Sequence, residues 1–385
     1  MNMNWDAAFA ACKSYDDTEV SAALQTAVDA AGGLDWVTPG MRVALKLNLV
    51  SAMKPEQAAT VHPAVVCALV RMLTARGAHV ILGDSPGGLY TSAHLQRVYD
   101  ATGLRAAEAL GAELNEDFSV CTVSYPEALQ ARSFTMTAYL QQADAIIDVC
   151  KLKTHGMMGM TNAVKNFFGI IPGTMKPEYH YKYPKAADFA DMLVDLCEYC
   201  KPRLCICDAV VGMEGNGPTA GQNRHIGLVM ASENAHALDL ASCYLIDYAP
   251  NEVDTVREAI ERGLVCDSAE KIDIAGEDIK PLVMKDYLKP ESHFNLIKLI
   301  SLPDALNARL INALASKPAM DYDICVGCGE CARCCPPKAI DMSSGKPVID
   351  TKRCIKCFCC QELCPKKAVK IKRPLLNRFM IKFLK

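Results

Sequence analysis

The chain has 385 residues, too many for one domain of average size, so two or three domains are expected. Its apolar share of 51% suffices for buried cores, and its charged share of 22% is that of an ordinary soluble protein. Lys plus Arg number 41 against 44 Asp plus Glu, a net charge of −3, which excludes a generally basic nucleic-acid coat and a disordered polyacid; no nucleic-acid partner is expected.

The opening segment MNMNWDAAFAACKSYDD holds acids and no apolar signal core. No apolar run approaches the roughly 18 residues of a membrane helix, and a cytoplasmic location is expected. Helical patterns then fall at 19–31, 63–76, 186–200 and 235–246. Pro63 suits a first helical turn, with His62 just before it. Short apolar runs rich in Val and Ile lie at 42–47, 78–82, 145–150, 204–207 and 226–230. Strands alternating with helices imply an α/β fold with a mainly parallel sheet covered by helices. Uninterrupted apolar strands fit a sheet buried on both faces. These elements assign residues 1–285 to one α/β domain. Residues 286–318 read as a linker broken by prolines, with a helical stretch at 294–302. Residues 319–373 form a small cysteine-rich α+β module, and 374–385 a tail.

Cysteine is the outlier. There are 20, and ten fall between Cys325 and Cys364. A long chain without a secretory leader is expected to keep its thiols reduced, so clustered cysteines point to metal rather than disulfides. Cys325, Cys328, Cys331, Cys335 and Pro336 recur 29 residues later as Cys354, Cys357, Cys360, Cys364 and Pro365. Each half reads C-x-x-C-x-x-C-x-x-x-C-P. Two-residue gaps let one tight loop aim three soft thiolates at one cluster, and the proline fixes the turn after the fourth. C-x-x-C pairs also hold zinc, but two such triplets, each with a later Cys-Pro, favour iron–sulfur. The spacing resembles the bacterial two-cluster ferredoxin family. That resemblance implies two [4Fe–4S] clusters. Cluster one would take Cys325, Cys328, Cys331 and Cys364; cluster two would take Cys354, Cys357, Cys360 and Cys335. Cys334 and Cys359 exceed the pattern. They read as unligated thiols packed near the clusters, the alternative being a one-residue slip in ligand identity.

Six segments of the large domain join Gly or Pro to charged or polar residues at strand ends: KLNL (46–49), TVHP (60–63), GDSPGG (83–88), KLKTHG (151–156), TNAVKNFFGIIPG (161–173) and DAVVGMEGNGP (208–218). Their order and wording resemble the domain of unknown function 362 family over residues 40–245. Many members of that family carry an attached ferredoxin-like module. The resemblance implies a soluble α/β domain with redox character and leaves the substrate open.

Elementary physics adds a place. Ligands of open α/β sheets bind beyond the carboxyl ends of strands. Lysines 46, 151, 153 and 165, with His62 and His155, would there make a cationic pocket for a carboxylate or phosphate. Lys153, His155 and Lys165 are the candidate catalytic residues, as proton carriers, anion holders or a desolvated nucleophile. Lys46, Asn48, His62, Asp84, Lys151, Asn166, Asp208, Glu214 and Asn216 are the candidate substrate-binding residues. Plainer readings stand beside these. GDSPGG is then a strand-end turn, His62 a helix-entry residue, and Glu214 and Asn216 turn formers. Asp84, Asp208, Glu214, His62 and His155 alternatively hold a divalent metal.

KPEYHYKY (176–183) follows IIPG and reads as a loop, either a lid over a ligand or a surface that meets the ferredoxin-like module. Cys197, Cys200, Cys205 and Cys207 read as buried thiols, with a third metal site as the alternative. The tail carries apolar residues at helical spacing opposite Arg378, Lys382 and Lys385. It suits docking on the protein or a partner, or peripheral contact with an anionic membrane.

Two functions fit. One is an oxidoreductase passing electrons between two [4Fe–4S] clusters and a small anionic substrate in the α/β domain, served by a redox partner such as a ferredoxin or reductase. The other is a non-catalytic electron carrier or redox-sensing docking module.

Overall fold

The computed structural model describes residues 5–291 and 316–372. In the first half of the large domain the elements are β1 (Ala7–Ala11), α1 (Asp17–Ala30), β2 (Arg42–Leu47), α2 (Pro63–Thr74), β3 (His79–Gly83), α3 (Ser92–Thr102), β4 (Ala112–Leu114), β5 (Val120–Ser124) and β6 (Ser133–Thr137). There follow β7 (Ala145–His155), β8 (Gly159–Thr161), α4 (Ala163–Asn166), α5 (Lys176–Lys182), α6 (Ala186–Cys200), β9 (Leu204–Glu214), β10 (Gln222–Ser232), α7 (Ala235–Leu245), α8 (Asp254–Glu261) and β11 (Ile274–Gly276).

Nine strands form one sheet in the order β11-β1-β10-β9-β7-β2-β3-β4, with β8 paired to β7. The pairs β9-β7, β7-β2, β2-β3 and β3-β4 are parallel, and β10 is antiparallel to both neighbours. The α/β architecture expected from the apolar runs is thus present, with antiparallel pairing added on one side. Val43, Leu45 and Leu47 of β2 pack with α1 and α2, while Ala44 joins the core on the other face with α6 and α7. In α2, Val65, Val66, Leu69, Val70 and Leu73 are buried, each worth about 1.5–3 kcal/mol when removed from water. Pro63 opens that helix, and His62 Nδ1 caps it by accepting the Ala64 N–H.

Two differences from the sequence reading shape the site. First, β7 and β9 run to 155 and 214, past the apolar runs that end at 150 and 207. Strand β8 folds back on β7, and β10 accompanies β9 to its end, so partner backbone carries both ladders onward. KLKTH and DAVVGME are therefore strand residues. Second, KPEYHYKY is largely the helix α5 rather than a loop. Pro177 sits in its first turn, and Tyr179 and His180 turn inward against Phe168.

The C-terminal module adds β12 (Lys317–Met320), α9 (Glu330–Arg333), β13 (Ile340–Asp341), β14 (Val348–Ile349), α10 (Cys359–Glu362) and β15 (Val369–Lys372). Strand β12 pairs with β15 and β13 with β14, both antiparallel. Its core is largely sulfur: Cys331, Cys334, Cys357, Cys359 and Cys360 pack with Val369. The module rests on the large domain. Thr219 Oγ1 donates to Glu362 O at 3.1 Å, and Gln361 Nε2 donates to Asn216 O at 3.3 Å. Most of the expected linker, with its helix at 294–302, and the tail at 374–385 lie outside the described residues.

Close backbone approach fixes one glycine in particular. A Cβ on Gly169 would lie 2.0 Å from Asp84 Oδ1 and 2.5 Å from Lys46 Nζ. Gly169→Ala is expected to destabilise the fold by about 1–3 kcal/mol, the range of core overpacking, as measured by denaturant unfolding.

Candidate functional site

The site grows from the carboxyl ends of β2, β3 and β7. Lys46 Nζ is fully buried, 2.9 Å from Asp84 Oδ1. It also donates to Leu47 O at 2.7 Å and to Asn166 Oδ1 at 3.3 Å, so its three protons are spent. Asp84 accepts the N–H groups of Leu49 and Ser85 at 2.8 and 2.9 Å. Asn166 accepts from Lys46 and Asn48 and donates to Lys46 O and Asp148 Oδ1. A buried ion pair is tolerated only with its remaining valences filled in this way.

Beside this network lies a cavity of about 100 Å³. The strand ends supply Asn48, Asp84, Ser85, Lys153 and His155. Thr161, Lys165, Asn166 and Phe168 come from β8 and the α4 segment, and Lys176 and His180 from α5. Cys359, Glu362 and Leu363 of the C-terminal module close it. The fit there is tight: a Cβ on Gly87 would lie 2.3 Å from Leu363 Cδ2.

Three lysines face this space with different commitments. Lys153 Nζ donates to Asn48 Oδ1 at 2.7 Å and Ala59 O at 2.5 Å. Lys176 Nζ donates to Ser85 O at 2.5 Å and Ile171 O at 2.7 Å. Lys165 has no hydrogen bond or ion pair among the described residues; its Nζ lies 5.4 Å from the Phe168 ring centroid. Burial lowers Lys153 to about 7, with Lys151 and Lys165 adding repulsion, and lowers Lys176 to about 7. Lys165 is lowered too, again chiefly by burial.

Two imidazoles border the cavity with ring nitrogens that make no hydrogen bond among the described residues. His155 Nδ1 accepts the N–H groups of Met157 and Met158 at 3.1 and 3.2 Å, so the neutral ring holds its proton on Nε2. That nitrogen lies 3.2 Å from Glu362 Oε1 but is not aligned for a hydrogen bond. His180 stacks on Phe189 at 4.4 Å, and its Nδ1 is buried without a partner among the described residues. Buried polar atoms are nearly always paired; His155 Nε2 and His180 Nδ1 are among the described ones without a hydrogen bond, and both residues line the cavity. Burial lowers His155 to about 4 and His180 to about 3, leaving both neutral near pH 7. For Glu362 burial acts upward, but His155, Lys165 and His180 outweigh it and hold the carboxyl at about 2.

The other candidates lie elsewhere. Lys151 pairs with Asp208 at 2.8 Å and donates to Tyr15 Oη at 2.8 Å, while Tyr15 stacks on His62 at 3.6 Å. Asp208 also accepts the His62 N–H. This buried cluster ties β7, β9 and α2 together and does not line the cavity. Glu214 accepts from Gln222 Nε2 and the Leu288 N–H. Asn216 accepts the Glu291 N–H through Oδ1 and meets Gln361 through its carbonyl. GDSPGG is a strand-end turn whose Ser85 accepts the Gly173 N–H. Cys197 has Glu198 and His236 beside it, donor atoms within 4.8 Å, but His236 Nε2 already meets Glu198 at 2.9 Å. Lys176, His180, Cys359 and Glu362 were not singled out by sequence as site residues; only the crowded 176–183 segment and the surplus cysteine gave a signal.

In the module, Cys335, Cys354, Cys357 and Cys360 line a second cavity together with Cys359. Cys331 feels the charges of Cys364, Cys325 and Cys328. Soft thiols gathered this way fit a [4Fe–4S] cluster.

Fold and site thus define an α/β domain whose cavity is closed by an iron–sulfur module. The chain belongs to the family described as Domain of unknown function (DUF362), whose profile matches residues 43–244. The profile of the 4Fe-4S dicluster domain matches residues 317–365, making this an iron–sulfur electron-transfer module. The chain is 30% identical over 265 residues to the thylakoid-associated protein sll1697 of Synechocystis sp., covering 67% of this chain and 79% of that protein. It is also similar to the lactate racemase apoprotein from Thermoanaerobacterium thermosaccharolyticum, at 9% identity and a TM-score of 0.41. That match covers 65% of this chain and 59% of the racemase, too weak to bear on function. No helix among the described residues is long and apolar enough to cross a membrane.

Acetate, whose charge is constant from pH 6 to 9, reports on the lysines. Lys153 and Lys176 are charged below about 7 and neutral above it. Acetate affinity is therefore expected to fall as pH rises through 7, by up to roughly tenfold per unit for each lysine required. Calorimetry across that range measures the slope, and Lys153→Met is expected to flatten it.

Proposed function

We propose that this protein is an oxidoreductase whose substrate, a small anion, binds in the cavity between the α/β domain and the iron–sulfur module. One observation carries the reading: Cys359 lines both that cavity and the one framed by Cys335, Cys354, Cys357 and Cys360. A bound anion would be separated from the cluster-holding sulfurs by the thickness of one residue.

In this reading Cys325, Cys328, Cys331 and Cys364 hold one [4Fe–4S] cluster, and Cys354, Cys357, Cys360 and Cys335 the other. The clusters supply or accept single electrons. The rest falls to side chains. Lys165, the uncommitted cation, holds the anion. His155 Nε2 and His180 Nδ1 orient it by hydrogen bonding. Lys153, lowered to about 7, releases or takes up a proton near neutrality. Phe168, Pro218 and Leu363 exclude water. A two-electron reduction would take two electrons, one at a time, and two protons from solvent by way of Lys153.

Cluster one would face the redox partner, a ferredoxin or reductase. Cys328 is exposed, and Tyr322, Ile324 and Val326 present apolar surface beside it. The reading puts the protein in the cytoplasm. The name of the cyanobacterial relative keeps peripheral membrane contact through the basic residues after Lys366 within the same reading.

The test is re-oxidation of the dithionite-reduced protein by a panel of two- to six-carbon carboxylates, followed by cluster absorbance. At least one carboxylate is expected to re-oxidise it, and Lys165→Met to slow that reaction by on the order of 100-fold with iron content unchanged. Equal rates in wild type and variant would favour the carrier reading.

A further inference from the structure

Lys165 sits on α4, a single turn of four residues. A helix that short does not hold itself, because nucleation fixes several residues for one hydrogen bond. Its place is set from outside. Its last residue, Asn166, is tied to Lys46, Asn48 and Asp148 as described above. Its first residues are held by α7, which reaches them from 76 residues further along the chain.

Asp239 of α7 is buried, 1% exposed. Its Oδ1 accepts the Ala163 N–H at 2.8 Å and its Oδ2 the Val164 N–H at 3.3 Å. One turn on, Ser242 Oγ accepts from Asn162 Nδ2 at 2.8 Å while donating to Leu238 O. Asn162 Oδ1 in turn accepts the Cys150 S–H of β7 at 3.0 Å. Helices are commonly capped by the side chain of the residue before them. Asn162 makes no such bond, and Asp239 supplies the acceptors instead. Taking a carboxyl out of water is costly unless its oxygens are matched; here both are spent on the two N–H groups that lead into Lys165. Asp239 itself is not among the residues that line the cavity.

We infer that Asp239 is a positioning residue: by holding the N–H groups of Ala163 and Val164 it fixes the direction in which α4 delivers Lys165 to the cavity. This rests on the reading above, in which Lys165 holds the anion. Lys153 and Lys176 line the same cavity but are anchored at Nζ by their own hydrogen bonds, to Asn48 and Ala59 and to Ser85 and Ile171. Lys165 has no such anchor among the described residues, so its backbone alone aims it. A shift of α4 therefore displaces this lysine and leaves the other two where they are.

The experiment uses the full chain, reconstituted without oxygen, as wild type and Asp239→Asn. The asparagine keeps the shape and one acceptor oxygen but sets an amide donor against the second N–H. Trace reductive methylation with formaldehyde and cyanoborohydride, read residue by residue by mass spectrometry, reports on the three cavity lysines separately. Calorimetry gives the affinity for acetate. Asp239→Asn is expected to keep the wild-type iron content and to raise methylation of Lys165 severalfold, with Lys153 and Lys176 unchanged. It is also expected to weaken acetate binding by roughly tenfold, the low end for losing a hydrogen bond to a charged group. A residue needed only for folding would move all three lysines together or none of them, and either result overturns the inference. Should Asp239→Asn not fold, Ser242→Ala, which removes only the acceptor of Asn162 Nδ2, is expected to show the same selective rise at smaller size; its absence there overturns the inference too. If wild type binds no acetate, the anion reading fails, while the methylation comparison still decides what aims Lys165.

Discussion

A lysine and an aspartate buried side by side govern how the strand ends of this protein are arranged. Removing two such charges from water costs several kcal/mol each, and their attraction offsets that only when every remaining proton and lone pair is matched. Here Lys46 and Asp84 recruit Leu47 O, Asn166 and the N–H groups of Leu49 and Ser85. The ends of β2 and β3 are thereby held against α4, and the turn after α4 must come close enough that Gly169 has no room for a side chain. The lysine whose charge remains available is Lys165, one residue before Asn166. The amide that completes the ion pair, Asn166, and a cavity-lining lysine, Lys165, thus stand side by side in one short segment.

The same economy separates the other charges. Lys151 and Asp208 are consumed by each other and by Tyr15. Lys153 is held by Asn48 and Ala59, and Lys176 by two carbonyls. Burial then lowers the affinity of the last two for their protons. Around the cavity, Lys165, His155 Nε2 and His180 Nδ1 make no hydrogen bond among the described residues. His155 Nε2 lies 3.2 Å from Oε1 of Glu362, a residue of the other module whose charge also acts on Lys165 and His180. Glu362 thus brings a carboxylate of the ferredoxin-like unit to the wall of the cavity that Lys153, Lys165 and Lys176 also line.

Much of this was written in the sequence. Strands covered on both faces produce uninterrupted apolar strings, and 42–47 was legible to the residue. Strand lengths were not, because β7 and β9 continue on partner backbone rather than on apolar side chains. The polar motifs announced the right end of the sheet. They did not reveal which members were already spent, since Lys46 and Lys165 look alike until their contacts are known. Helix α5 was hidden by Pro177 and its tyrosines; the inward packing of Tyr179 and His180 depends on Phe168 and Phe189. Cys359 was visible as a surplus thiol, but its place in a wall shared by two cavities was not. Glu362 gave no signal: its partner His155 lies some two hundred residues earlier in the chain.

That last separation has a consequence for synthesis. Three of the cavity-lining residues, Cys359, Glu362 and Leu363, come from the cysteine-rich segment, which follows the α/β domain in the chain. During translation the α/β domain emerges and can fold with this flank open to water. The cavity closes only once the cysteine-rich segment has left the ribosome and docked. A chain cut short before that point keeps its sheet and its lysines but not its enclosure. The enclosure is therefore made later than the sheet and the lysines it covers, and it depends on the docking of a segment that follows them in the chain.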